Sequence, residues 1–106
     1  MSSPERLITQ FALDDRTAAD MAELFQALAD PSRVRIVASL AYNEMSVGAL
    51  AKTVGLSESA VSHQLRGLRQ MRLVRARKEG RQVFYRLDDD HVRELFERGL
   101  DHVLHG

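Results

Sequence analysis

The chain of 106 residues contains no cysteine. That absence excludes disulfides, thiolate nucleophiles and sulfur ligands, so any metal held here would be bound by nitrogen and oxygen alone. There is also no run of about 18 apolar residues and no charged-then-apolar leader, which argues against export or membrane insertion and leaves a cytoplasmic location as the expectation. Only two prolines interrupt a composition that is 44% hydrophobic, ordinary for a folded helical domain and unlike a disordered chain. Net charge is lacking too, since 15 Lys/Arg offset 15 Asp/Glu.

The neutral sum conceals a separation. Lys52 to Arg86 holds nine basic and two acidic residues, about +7, and the remainder of the chain is about −7. A basic run can simply be a solvated surface, but the pattern inside this one is more specific. Leu56 to Arg72 reads as an amphipathic helix: Ser57 caps it, Glu58 lies in its first turn, and Val61, Leu65 and Leu68 form one apolar stripe. The other faces carry Ser59, Ser62, His63, Gln64, Arg66 and Arg69, groups suited to base edges and phosphates. We take residues 57–69 as a candidate recognition helix.

The preceding segments supply a scaffold. Residues 1–12 are expected to be a flexible arm, and residues 13–106 one domain. Ala18, Met21, Leu24, Phe25 and Leu28 mark a first helix ending at Leu28. Asp30-Pro31 starts a second, residues 31–41, with Val34, Val37, Ala38 and Ala41 as its apolar stripe and Ile36 and Leu40 widening it. Arg33 is expected to reach solvent. Asn43 and Glu44 break the pattern, Ser46 opens a short third helix through Thr53, and Gly55 ends it. Helix, glycine-containing turn and polar-faced helix make a helix-turn-helix.

Residues 73–87 follow as two strand-like runs around Lys78-Glu79-Gly80-Arg81, a hairpin wing. Arg77, Lys78 and Arg81 at its tip are placed to neutralise phosphates; the bland alternative is a hairpin that only covers the core. The fold class is therefore mostly α with a β-hairpin wing, a winged helix-turn-helix.

Asp88 is expected to cap a last helix, residues 89–105, whose Val92, Leu95, Phe96, Gly99, Leu100 and Val103 give an apolar face needing cover. A second copy is the simplest cover, and a domain this small gains core from a partner, so a homodimer is expected. His91 and His102 are eleven residues apart, about 16 Å along a helix, so one chain cannot bring both to one ion. If two copies pack antiparallel, Asp89 and His91 of one meet His102 and His105 of the other. Two sites of one carboxylate and three imidazoles result, a donor set suited to Zn(II), with Co(II) able to take its place. Histidines near a helix C-terminus can equally be surface residues interacting with its dipole.

From about Leu24 to Gly106, the segments FQALADPSRVRIV, SVGALAKTVGLSESAVSHQLRGLRQMRLVRARKEGRQVFYRL and DDDHVRELFERGLDHVLH resemble the ArsR/SmtB family of metal-sensing bacterial repressors, particularly its zinc-responsive branch. The resemblance implies a dimer formed through the first and last helices. It implies binding of the apo-dimer to a dyad-symmetric double-stranded operator, and release on metal binding that expresses efflux or sequestration genes. It also implies a metal site at Asp89, His91, His102 and His105. Where the family's alternative site carries cysteines this chain has Ser46, Val47 and Gly48, which disfavours arsenic, lead or cadmium sensing. The competing expectation is a winged-helix regulator with a non-metal effector or none, its histidines being interface residues. No organic cofactor and no enzymatic activity are expected, because four protein ligands leave no open metal position for water.

Overall fold

The computed structural model describes residues 3–106, and it leaves the side chains of residues 7 and 9–11 outside the description. Helix α1 (Pro4–Phe11) occupies the segment expected to be a loose arm. Ser3 caps it by accepting the Arg6 N–H at 3.2 Å, Pro4 stands where a missing N–H is harmless, and the helix ends at Ala12 with φ 47°. Local capping makes a helix of a stretch whose scattered apolar residues suggest none. Of those residues, Ile8 is exposed, and the side chains of Leu7 and Phe11 lie outside the described set.

Helix α2 (Asp15–Ala27) is capped by Asp14, whose Oδ1 accepts the Thr17 N–H at 2.8 Å. Those hydrogen bonds to Thr17 hold the Asp14 carboxyl below its ordinary value. Helix α3 (Pro31–Leu40) begins with the expected aspartate-proline pair, Asp30 accepting the Arg33 N–H. Its buried stripe is Ile36, Val37, Leu40 and Ala41, while Ala38 and Val34 are exposed. The face turned to the core is thus centred on Ile36 and Leu40, and the two residues expected to widen the stripe are its middle.

Strand β1 (Met45–Ser46) was not expected. Helix α4 (Val47–Val54) follows at once, capped by Ser46 through the Ala49 N–H and closed by Gly55 at φ 73°, a conformation in which a Cβ would be strained. Helix α5 (Glu58–Gln70) is capped by Ser57 through the Ala60 N–H, and its Val61, Leu65 and Leu68 are fully buried. These three, with Ile36, Leu40, Leu50 and Val74, are the largest fully buried side chains.

Strands β2 (Val74–Glu79) and β3 (Gln82–Leu87) form the antiparallel hairpin, from the Val74 to Leu87 pair out to Glu79 and Gln82. Gly80 takes the positive φ, 61°, that the two-residue turn requires. Strand β1 adds to the free edge of β3, Met45 opposite Tyr85 and Ser46 opposite Phe84, so the sheet has three strands in the order β1-β3-β2. That pairing ties the start of the helix-turn-helix to the middle of the wing. Helix α6 (Asp90–His105) closes the described chain.

Candidate nucleic-acid interface and metal-sensing helix

The apolar stripe of α5 is locked into the core, so its opposite faces are fixed in direction. Ser59, His63, Arg66 and Arg69 are exposed, and Ser62 and Gln64 are half-buried. Ser57 uses its hydroxyl oxygen as the helix cap and retains its O–H as a donor. Ser59 and Ser62 border a cleft shared with Ser46, Gly48 and Glu58 on the helices and Arg81 on the wing. Recognition helix and wing tip therefore face a common space.

Gln64 is not free. Its Oε1 accepts the Nε–H of Arg33 at 2.7 Å, and the same guanidinium donates from Nη1 to the carbonyl of Ala27 at 3.1 Å. Arg33, expected to extend into solvent, instead ties the end of α2 to the recognition helix. Sequence spacing gave no signal for this link, since the two residues are 31 positions apart.

The wing also differs from a simple basic tip. Arg77 donates to Glu44 at 2.6 Å and to Glu79 at 2.5 Å, and it lies over the Phe84 ring at 4.9 Å. Hydrogen bonds from Arg77 hold the Glu44 carboxyl below its ordinary value, and those with Glu44 and Glu79 raise the Arg77 guanidinium above its own. Arg77 braces the hairpin against the loop before β1, which leaves Lys78 and Arg81 as the exposed cations flanking Gly80. Glu44, read only as a break in a helical pattern, is the residue that sequence inspection missed here.

On α6, the cap is Asp89 and not Asp88. Asp89 Oδ1 accepts the Val92 N–H at 3.1 Å, whereas Asp88 Oδ1 takes the Arg75 guanidinium at 2.8 Å and its backbone N–H bonds to Leu73. With three aspartates in a row, the end of β3 decides which one faces the first turn. The Val92 N–H is the main reason that the Asp89 carboxyl is held below its ordinary value. The second oxygen, Oδ2, lies 3.6 Å from His91 Nδ1. His91 is 91% exposed and Asp89 49%, so both side chains are open to solvent at the start of α6. His102 and His105 are exposed in its last turn.

Among the described residues of one chain, no three His, Asp or Glu side chains converge as a metal site. The four candidate ligands form two pairs at opposite ends of one rigid helix, and the donors fit a nitrogen- and oxygen-bound divalent ion only if a second chain brings the ends together. Between α2, α3 and α6 runs an apolar groove lined by Phe25, Leu28, Val34, Phe96, Leu100 and Val103, of which Val103 is 81% exposed.

A helix-turn-helix with an exposed polar second helix, flanked by a braced two-stranded wing, defines a winged helix-turn-helix DNA-binding protein. Residues 30–76 match the family model described as bacterial regulatory protein, arsR family. The chain is 54% identical over 86 residues to the transcriptional repressor SmtB homolog of Synechocystis sp., covering 81% of this chain and 65% of that protein. It is 43% identical over 93 residues to the HTH-type transcriptional regulator NmtR of Mycobacterium tuberculosis, covering 88% and 78%. The solution structure of a homodimeric winged helix-turn-helix DNA-binding domain from Mycobacterium bovis superposes with a TM-score of 0.76 at 32% identity, covering 92% of this chain and 96% of that one. The chain belongs to the ArsR/SmtB family of bacterial transcription regulators, which are DNA-binding proteins and not enzymes.

Proposed function

We propose that this protein is a zinc-responsive repressor whose apo-dimer holds a dyad-symmetric operator and whose metal-bound dimer releases it. The observation that carries the reading is the division of Asp89 and His91 from His102 and His105 along one helix that borders an uncovered apolar groove. A second copy laid antiparallel on α6 covers apolar surface and completes two sites of one carboxylate and three imidazoles in the same movement.

The residues divide the work. Asp89 keeps its cap through Oδ1 and offers Oδ2, so the ligand is oriented before any metal arrives. His91 beside it, with His102 and His105 of the other subunit, completes the set. Bound zinc would supply a cross-link between the two α6 helices. Residues Ser59, Ser62, His63, Gln64 and Arg66 address the major groove, and Lys78 and Arg81 the flanking phosphates. Release requires only that the two dimer forms differ in DNA affinity; about 1 to 3 kcal/mol of coupling per site gives about 5- to 150-fold. Cobalt fits the same donors.

Zinc titration of the protein, followed by competition with a chromophoric chelator and by anisotropy of a labelled duplex from its own upstream region, tests the reading. One zinc per chain and release of DNA are expected, with His102→Gln keeping DNA binding and losing release. Continued zinc-induced release by that variant would defeat the assignment in favour of a regulator with another effector.

A further inference from the structure

Helix α2 meets its own subunit mainly through its last turns. Among its residues Ala27 is buried and Leu24 half-buried, and the others are exposed. The Ala27 carbonyl would take an N–H from four residues on if the helix continued, but residue 31 is proline and has none. Arg33 supplies the donor instead, its Nη1 reaching that oxygen at 3.1 Å. From the same guanidinium Nε donates to Gln64 Oε1 on α5 at 2.7 Å, and the Arg33 backbone N–H is fixed by Asp30.

A guanidinium is planar and rigid, so its two bonds set the separation and angle of the groups that they join. Those groups are the end of α2 and the half-buried flank of the recognition helix. Phe25 and Leu28, on either side of Ala27, line the groove proposed to take the second subunit. One side chain thus fastens the reading helix to a wall of the dimer groove. In a two-fold dimer a tilt at this joint is applied once in each subunit, so it appears as a changed separation of the two recognition helices.

We infer that Arg33 is a positioning residue that sets the half-site spacing the dimer accepts. The inference rests on the proposed dimer and dyad-symmetric operator, and it goes beyond them by naming the joint that fixes how far apart the two reading helices stand. Arg33 acts through α2 and α5 and need not touch DNA itself.

The chain has no cysteine, so Gln70→Cys, at the exposed end of α5, accepts one spin label per subunit. Pulsed dipolar spectroscopy of the metal-free dimer is expected to give one narrow label-to-label distance. Arg33→Met in that background is expected to broaden or shift it by about 3 Å or more, the rise of one base pair. Gln64→Met, which breaks only the α5 end of the link, is expected to do the same and decides the matter if Arg33→Met does not fold. In the second arm, a duplex that wild type enriches from a random pool about 30 base pairs long is lengthened at its centre by one base pair, which turns one half-site by about 34° against the other. Wild type is expected to lose roughly 30-fold in affinity, as several contacts of one half-site leave register together, and Arg33→Met under about fivefold. The bases preferred within each half-site are expected to stay the same. A label distance unmoved by either substitution, a spacing dependence that Arg33→Met leaves at its wild-type value, or a change in the bases preferred within a half-site would overturn the inference while leaving operator binding intact. Indifference of wild type to spacing would overturn the dyad-operator reading, and this inference with it.

Discussion

Replacing Val103 probes the apolar groove more sharply than any other single change. Val103 is 81% exposed in one chain, in the same turn of α6 as His102 and His105 but directed to the groove with Leu100 and Phe96. If a second copy covers it, each valine gains most of the roughly 1.5 kcal/mol available from burying a side chain of its size. Both subunits carry the substitution, so Val103→Ala removes about 2 to 3 kcal/mol from the dimer, roughly 30- to 150-fold in dissociation constant. Val103→Glu loses that area and also places two carboxylates in an apolar seam, where each costs further kilocalories unless it takes up a proton. At least about 6 kcal/mol, or more than 10,000-fold, is then expected. Sedimentation velocity over nanomolar to high micromolar protein gives the dissociation constants, and circular dichroism checks that each variant keeps its helices. The graded order wild type, alanine, glutamate is the signature. A folded Val103→Glu protein that remains dimeric at low micromolar concentration would refute the placement of the partner on this groove.

Two further outcomes concern stability. Leu65→Ala removes a fully buried side chain from the inner face of the recognition helix and should lower unfolding free energy by about 2 to 5 kcal/mol in urea titration; a loss under about 1 kcal/mol would mean that the core is not anchored there. The carboxyl of Glu44 is held below 4.5 by its bond to Arg77, so the brace contributes above that value and is lost as pH falls through the lower folded value. Carboxyl NMR shifts of Glu44 should therefore titrate below pH 4.5, and Arg77→Met should return the midpoint upward; a midpoint unmoved by that substitution would show that the ion pair does not form in solution.

Much of this was legible in the sequence because it depends on neighbours along the chain. Asp30-Pro31, Ser46, Gly55 and Ser57 set helix ends through contacts within four residues, and the spacing of Val61, Leu65 and Leu68 defines a buried stripe wherever the helix packs. Ala12 and Ser3 close a helix by equally local means, yet the surrounding apolar pattern is too irregular to announce it. Strand β1 is two residues long and has no periodicity to detect; it exists because the edge of β3 passes within hydrogen-bonding reach. Asp88, taken from the sequence as the cap of the last helix, is drawn away by Arg75 on β2, and Asp89 takes its place.

The sequence by itself determined a winged helix-turn-helix, a polar-faced second helix and the placing of Asp89 and His91 at one end of the last helix and His102 and His105 at the other, because each follows from capping chemistry and helical period. Only the tertiary structure decided which of the polar groups are available. Arg77 is bound to Glu44 and Glu79, and Gln64 is bound to Arg33. A partner 31 or 33 residues away is brought close only when the core has formed, and one well-placed guanidinium then engages a side chain that the sequence alone leaves free.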